Sequence, residues 1–185
     1  IVSREVNPTD PAVVTVGSFH GGTKHNIIPN DVKLQLTVRT TKDTVRDHVL
    51  KAIDRICKSA ADGARAPAPV VTVNLDEFTP ATLNDVKLTR RVVGVFRDIL
   101  GDENVRERPP TMGGEDFSRF GREGVPIFMY FLGTVSPDEV AAAEKPGAAK
   151  LPGVHTDGYA PLPEASTRQG VRTMTSAVLE LMGKK

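Results

Sequence analysis

The chain has 185 residues, which at roughly 150 residues per domain is one full domain or two small pieces. Apolar residues make up 39% and charged residues 25%, which supplies a real core and argues against wholesale disorder. Lys and Arg number 24 against 23 Asp and Glu, a formal net charge of +1, so no global field holds nucleic acid or an anionic membrane, and no apolar run reaches the roughly 18 residues that span a bilayer.

Ile1 to Val6 (IVSREV) has no initiator Met, no basic n-region and no apolar h-region, so it is expected to be the interior of a longer or processed chain. Asn7-Pro8-Thr9-Asp10-Pro11 is turn chemistry. Ala12 to Phe19 is β-branched and reads as a strand. His20 to Asn26 is a polar, glycine-containing loop. In Asp31 to Thr40, Val32, Leu34, Leu36 and Val38 alternate with Lys33, Gln35, Thr37 and Arg39, the period of a half-buried strand. Thr44 to Asp62 reads as a helix with Val45, Val49, Ile53 and Ile56 on one stripe, widened by Leu50. Asp43 or Thr41 is the expected cap, and Gly63 the expected stop. After the spacer 64–69, Val70 to Phe78 reads as another strand. Residues 12–78 thus predict β-β-α-β, part of a two-layer α/β sandwich.

Thr79-Pro80-Ala81-Thr82 is the expected crossing point into a second part. A helix is predicted over 85–100, with Leu88, Val92, Val95, Phe96 and Ile99 inward and Gly101 ending it. Val105 to Arg108 is a short strand candidate, 109–114 a tight loop, and Glu115 to Phe120 one helical turn. Val125 to Leu132 (VPIFMYFL) is nearly all apolar, as expected of a strand buried on both faces. Residues 136–151 read as an exposed, partly helical excursion, and 154–161 as a loop carrying His155. The last helix runs over about 164–182, with Val171, Met174, Val178 and Leu181 inward. The second part has too little sheet to stand alone as a doubly wound domain.

Chemistry-bearing residues are few. Cys57 is the single cysteine, which excludes an internal disulfide and a Cys-based zinc finger and fits a reducing compartment. His48 reads as an exposed helix position. His20 and His25 flank Gly-Gly-Thr-Lys at a spacing that matches no helical or strand ligand pair, and backbone-bonding loop residues are the plainer reading. Asn26 is either an Asx-turn residue or an oxyanion donor. His155 lies in a loop between a buried strand and the closing helix, where α/β proteins place ligands. Spacing alone leaves it a polar loop residue more readily than a metal ligand. Met112-Gly113-Gly114-Glu115-Asp116 is either a glycine turn before an acidic helix start or a substrate-facing backbone surface. Arg39 is either solvated or a fork for a carboxylate.

In series, His20-Gly-Gly-Thr-Lys-His-Asn-Ile-Ile-Pro29, Thr37-Val38-Arg39, Thr79-Pro-Ala-Thr82, Met112-Gly-Gly-Glu-Asp-Phe-Ser118 and His155 with Tyr159 resemble the M20 metallopeptidase family. The resemblance is to its amidohydrolase branch of N-acyl amino acid hydrolases, aminoacylases and hippurate hydrolases, and to their C-terminal portion. It implies a fold of mixed α/β class. Residues 1–78 would be the later part of a ferredoxin-like lid that usually makes a homodimer, and residues 79–185 the C-terminal part of the catalytic domain. It implies two divalent ions per complete site (Zn, Mn, Co or Ni), with His155 as the last metal ligand. Asn26 would contact the tetrahedral intermediate as a catalytic amide, and Arg39 would hold the substrate carboxylate. Gly113 and Gly114 would form the substrate-facing turn, followed by Glu115. The remaining metal ligands and the general-base glutamate belong to an N-terminal catalytic half. Asp76-Glu77 does not match that segment. Thr156-Asp157-Gly158 departs from the family pattern, which often has proline there.

The implied activity is amide hydrolysis of an N-acyl amino acid in the cytoplasm, with this chain inactive alone. The reading from another class is a non-catalytic α/β binding or dimerisation module. A third is a mono-metal or metal-free hydrolase built from His20, His25 and His155.

Overall fold

The alternating stretch builds one arm of an antiparallel hairpin in a computed structural model that describes residues 1–183. Strand β1 is Ala12–Gly21 and β2 is Val32–Thr40, in register from Ala12 opposite Thr40 to Gly21 opposite Val32. The register slips between Val16 and Ser18, so Gly17 is the extra residue of a β-bulge. The slip keeps the apolar residues matched. Val14, Val16 and Phe19 stand opposite Val38, Leu36 and Leu34, although Phe19 breaks the even numbering of the other two. His20 therefore lies in β1 opposite Lys33, and not in the loop with His25 as expected.

The chain divides into two units. The first comprises Ile1–Thr82 with Pro109–Gly124. Its long helix, which follows the short helix α1 (Val2–Glu5), is α2 (Asp43–Gly63). Helix α2 packs on β2 and buries Val49, Ala52 and Ile53, while Ile56, expected inward, is exposed. Neither Asp43 nor Thr41 caps α2; Lys42 holds the N-cap position without a side-chain bond, and Asp43 is engaged elsewhere. The helix ends at Gly63 as expected, and the left-handed residue beyond it is Arg65, at φ 52°.

The second unit comprises Leu83–Arg108 and Val125 onward. Helix α3 (Val86–Leu100) starts as the sequence indicates: the Asp85 carboxylate accepts the Leu88 N–H at 2.7 Å. Gly101 ends it at φ 88°, a conformation that favours glycine. Of the expected stripe, Val92 and Phe96 are fully buried. They form a cluster with Ala177, and Leu88, Leu100, Val105, Phe128 and Tyr130 pack against it. The Phe96 and Tyr130 rings meet edge-on at 4.8 Å. Helix α4 (Ser118–Arg122) belongs to the first unit. In the second, α5 (Pro137–Ala143) is closed by a Ser136–Glu139 capping box, the partly helical excursion that was expected.

Two expectations fail in instructive ways. The closing helix α6 (Pro163–Met182) turns its small residues inward. Thr173 and Ala177 are buried and a Cβ on Gly170 would meet Leu132 at 3.3 Å, whereas Val171, Met174, Val178 and Leu181 are 40–61% exposed. Small side chains let α6 approach its neighbours, and the Thr173 hydroxyl meets that of Tyr130 at 2.9 Å. The larger apolar stripe points away. The segments 70–78, 105–108 and 125–132 are not strands. Strand formation needs a ladder partner, and among the described residues β1 and β2 are the paired strands. Val70 and Leu75 accordingly stand exposed. The 125–132 segment is held by other means. Ile127 accepts the Asp85 N–H at 2.7 Å, and the Asn84 amide both donates to and accepts from the Met129 backbone at 2.8 Å, in place of a neighbouring peptide.

Candidate functional site

In the first unit, β2 carries Arg39 on its exposed polar face close to the end of the strand. Its Nη1 donates to the Met112 carbonyl at 2.8 Å, across 73 positions of sequence. The arginine and the Gly-Gly turn, singled out separately in the sequence, are therefore brought together. Gly113 and Gly114 do not owe their identity to backbone strain: neither has a positive φ, and a Cβ would meet nothing nearer than 3.9 Å and 3.6 Å respectively. Both glycines are exposed, and a Cβ on either would make only an ordinary contact, which suits a backbone surface that something else approaches.

Glu115 is partly buried and occupied locally. Its Oε1 accepts the Phe117 N–H at 3.2 Å, and its carbonyl accepts the buried Ser118 hydroxyl at 2.8 Å and the Thr82 hydroxyl at 3.5 Å. It shapes the turn that leads into α4. From α4, Arg119 donates to the Phe78 carbonyl at 2.5 Å, and Arg122 places Nη2 on both Asp43 oxygens, at 2.6 Å and 2.5 Å. The Arg122 guanidinium holds the Asp43 carboxyl below the usual carboxylate range, with a smaller contribution from Arg46. Arg46 also lies over the Phe78 ring at 4.1 Å. Thr82, Arg119, Arg122 and Asp43 were not recognised from sequence as parts of this arrangement. Thr82 stood in a segment that carried the family resemblance, but the partners of the arginines lie tens of residues away and leave no local signal.

Asn26 lies in the exposed loop between β1 and β2, with His25 beside it. Among the described residues the Asn26 side chain makes no hydrogen bond, so the Asx-turn reading has no bond to rest on. His155 belongs to the second unit, on an exposed turn closed by Thr156 N–H and Thr156 Oγ1 bonds to the Gly153 carbonyl at 3.1 Å and 2.8 Å. Tyr159, four residues on, bonds the Thr134 hydroxyl at 2.7 Å. Among the described residues no three His, Cys, Asp or Glu side chains gather as a metal site requires. His155 is exposed on its turn. No helix among the described residues is long and apolar enough to cross a membrane.

The chain is of mixed α/β class, and it joins a strand-borne arginine to an exposed Gly-Gly turn. The model of peptidase family M20/M25/M40 matches residues 5–150, and the chain belongs to that family. It is 34% identical over 134 residues to thermostable carboxypeptidase 2 of Saccharolobus solfataricus, covering 72% of this chain and 33% of that protein. It is 36% identical over 134 residues to IAA-amino acid hydrolase ILR1-like 4 of Arabidopsis thaliana, covering 72% of this chain and 30% of that protein. Its fold matches a crystal structure from methicillin-resistant Staphylococcus aureus assigned as an aminohydrolase, at a TM-score of 0.71 and 23% identity, covering 99% of this chain and 43% of that one. The chain thus spans about a third of the length of the curated relatives it matches.

Proposed function

We propose that the chain is the later part of a metal-dependent amidohydrolase acting on N-acyl amino acids in the cytoplasm. Residues 1–78 serve as the later part of a ferredoxin-like lid, and residues 79–185 as the C-terminal part of the catalytic domain. The observation that carries the reading is the meeting of Arg39 with the Met112-Gly113-Gly114 turn in a member of this peptidase family. Arg39 uses Nη1 on Met112, so its Nε–Nη2 edge remains for a substrate carboxylate, the bidentate match a guanidinium makes best. The exposed backbone of Gly113 and Gly114 lets the acyl part of the substrate lie against it. Asn26 donates its amide to the developing oxyanion. His155 supplies one ligand to a pair of divalent ions whose other ligands lie outside these residues. When bound, such ions provide Lewis-acid polarisation of the acyl carbonyl. The unpaired edges of the two-stranded sheet support pairing of two lids into a homodimer.

The test is an assay of hippurate and N-acetyl amino acids, with Mn or Zn added, on a longer protein that contains this chain and on the 185-residue chain itself. The longer protein is expected to release the free amino acid and the isolated chain to release none. Turnover by the isolated chain refutes the incomplete-site reading. No turnover by a folded, metal-loaded longer protein favours the non-catalytic module instead.

A further inference from the structure

One edge of the 125–132 segment is bonded and the other is not. Residues 125–134 run without a turn or bend. The Phe128 and Tyr130 rings stack at 5.9 Å and 16°, so side chains two apart share one face, as in a strand. The hydrogen bonds alternate in the same way. Ile127 accepts from Asp85, and Met129 both donates to and accepts from Asn84, so the edge of the odd-numbered residues is occupied. On the other edge, the backbone N–H and C=O groups of half-buried Phe128, Tyr130 and Leu132 make no hydrogen bond among the described residues. Unpaired peptide groups in such a place cost free energy until something bonds them. That edge is bounded by Pro126, which has no N–H, and by Thr134, whose carbonyl accepts the Leu162 N–H at 2.8 Å. Residues 105–108, the other strand-like run of this unit, make no hydrogen bond to it.

We propose that the edge of Phe128, Tyr130 and Leu132 receives a β-strand from the rest of a longer protein, outside these 185 residues, and that 125–132 is then an inner strand of the completed sheet. The need for a strand rests on the backbone; its source rests on the reading of the chain as part of a longer amidohydrolase. The chain spans about a third of the curated relatives it matches, so the longer protein has ample chain to supply a strand. The composition of the segment favours this source over open solvent. Outer edges of finished sheets are blunted by charged side chains, and residues 125–134 carry none. A nearly all-apolar run suits a strand covered on both faces and paired on both edges. The fitting partner is an extended, mostly apolar run of about five residues that presents N–H and C=O groups, not proline, to this edge.

The test is amide hydrogen exchange, resolved to single residues, on the longer protein and on the 185-residue chain. The Phe128, Tyr130 and Leu132 amides are expected to exchange at least about a hundredfold more slowly in the longer protein, and those of Ile127 and Phe131, on the opposite edge, to slow far less. Met129, bonded to Asn84 within the chain, is the internal reference. Equal slowing at odd and even positions means that the segment is covered without a ladder, and it overturns the proposal. So does fast exchange at Phe128, Tyr130 and Leu132 in the longer protein. Protection in the isolated chain that grows with its concentration gives the edge to a second copy and overturns the choice of occupant. If the 185-residue chain does not fold alone, the contrast between even and odd positions within the longer protein decides by itself. Hippurate hydrolysis is measured on the same longer protein. No activity with the alternation present refutes the amidohydrolase reading and leaves the strand, whereas an active protein without the alternation refutes the strand alone.

Discussion

Replacing Thr173 by valine removes one hydroxyl from the seat of α6 and almost nothing else. Thr173 is 1% exposed; its hydroxyl donates to the Gln169 carbonyl at 2.8 Å and meets the Tyr130 hydroxyl at 2.9 Å. Because the threonine proton goes to its own helix, the Tyr130 O–H is the donor between the two. Valine leaves that O–H without a partner beside the Phe96 ring. A stranded buried polar group costs about 1–3 kcal/mol, and Tyr130 is only half-buried, so the loss is expected near about 1–2 kcal/mol. Tyr130→Phe removes the other partner. The double variant is expected to cost less than the sum of the two single variants, with a coupling of about 1 kcal/mol. On the opposite face, Met174→Ala and Val178→Ala remove exposed side chains and are expected to stay within about 0.5 kcal/mol. Urea unfolding followed by circular dichroism reads all five variants, provided the m-value is common to them. A loss above about 2 kcal/mol for Met174→Ala, with Thr173→Val neutral, would show that α6 buries its larger apolar stripe and would refute the reasoning.

The Asp43–Arg122 pair makes a pH prediction. The folded Asp43 carboxyl is depressed below its ordinary value of 3.8, so its contribution is complete above that value and is lost as pH falls through the folded pKa. Both side chains are nearly half exposed, so the contribution is below about 1 kcal/mol and shrinks in salt. Stability profiles of the unaltered chain and Asp43→Asn are expected to differ at pH 7 and converge towards pH 3; a constant gap removes the ion-pair account. Asp85→Ala strips the cap from α3 and is expected to cost about 1 kcal/mol, read as a lower urea midpoint. No change there would mean that the Leu88 N–H finds another partner.

The parts of the fold that were legible in the sequence are those governed by local rules. Alternation in 32–40 decides a strand because period-two side chains have one apolar face, and the helix over 85–100 begins and ends where its stripe and Gly101 place it. The family was legible too, because its spaced segments lie in order along the chain, and the match over residues 5–150 bears that out. What the sequence did not carry is anything set by a distant partner. Apolar runs at 70–78 and 125–132 have the composition of strands, but a strand exists only where another backbone supplies its ladder. Hydrophobicity put Val171, Met174, Val178 and Leu181 of helix α6 inward, and the structure turns them out. Close approach rewarded Gly170, Thr173 and Ala177 over the bulkier stripe, a decision made by helix α3, Leu132 and the Tyr130 hydroxyl. In the candidate site, Arg39, the glycine pair, Glu115, Asn26 and His155 were each visible as residue types. Only the tertiary structure joined Arg39 to Met112 and Arg122 to Asp43, because hydrogen bonds across 73 and 79 positions follow from the path of the chain and have no period to betray them.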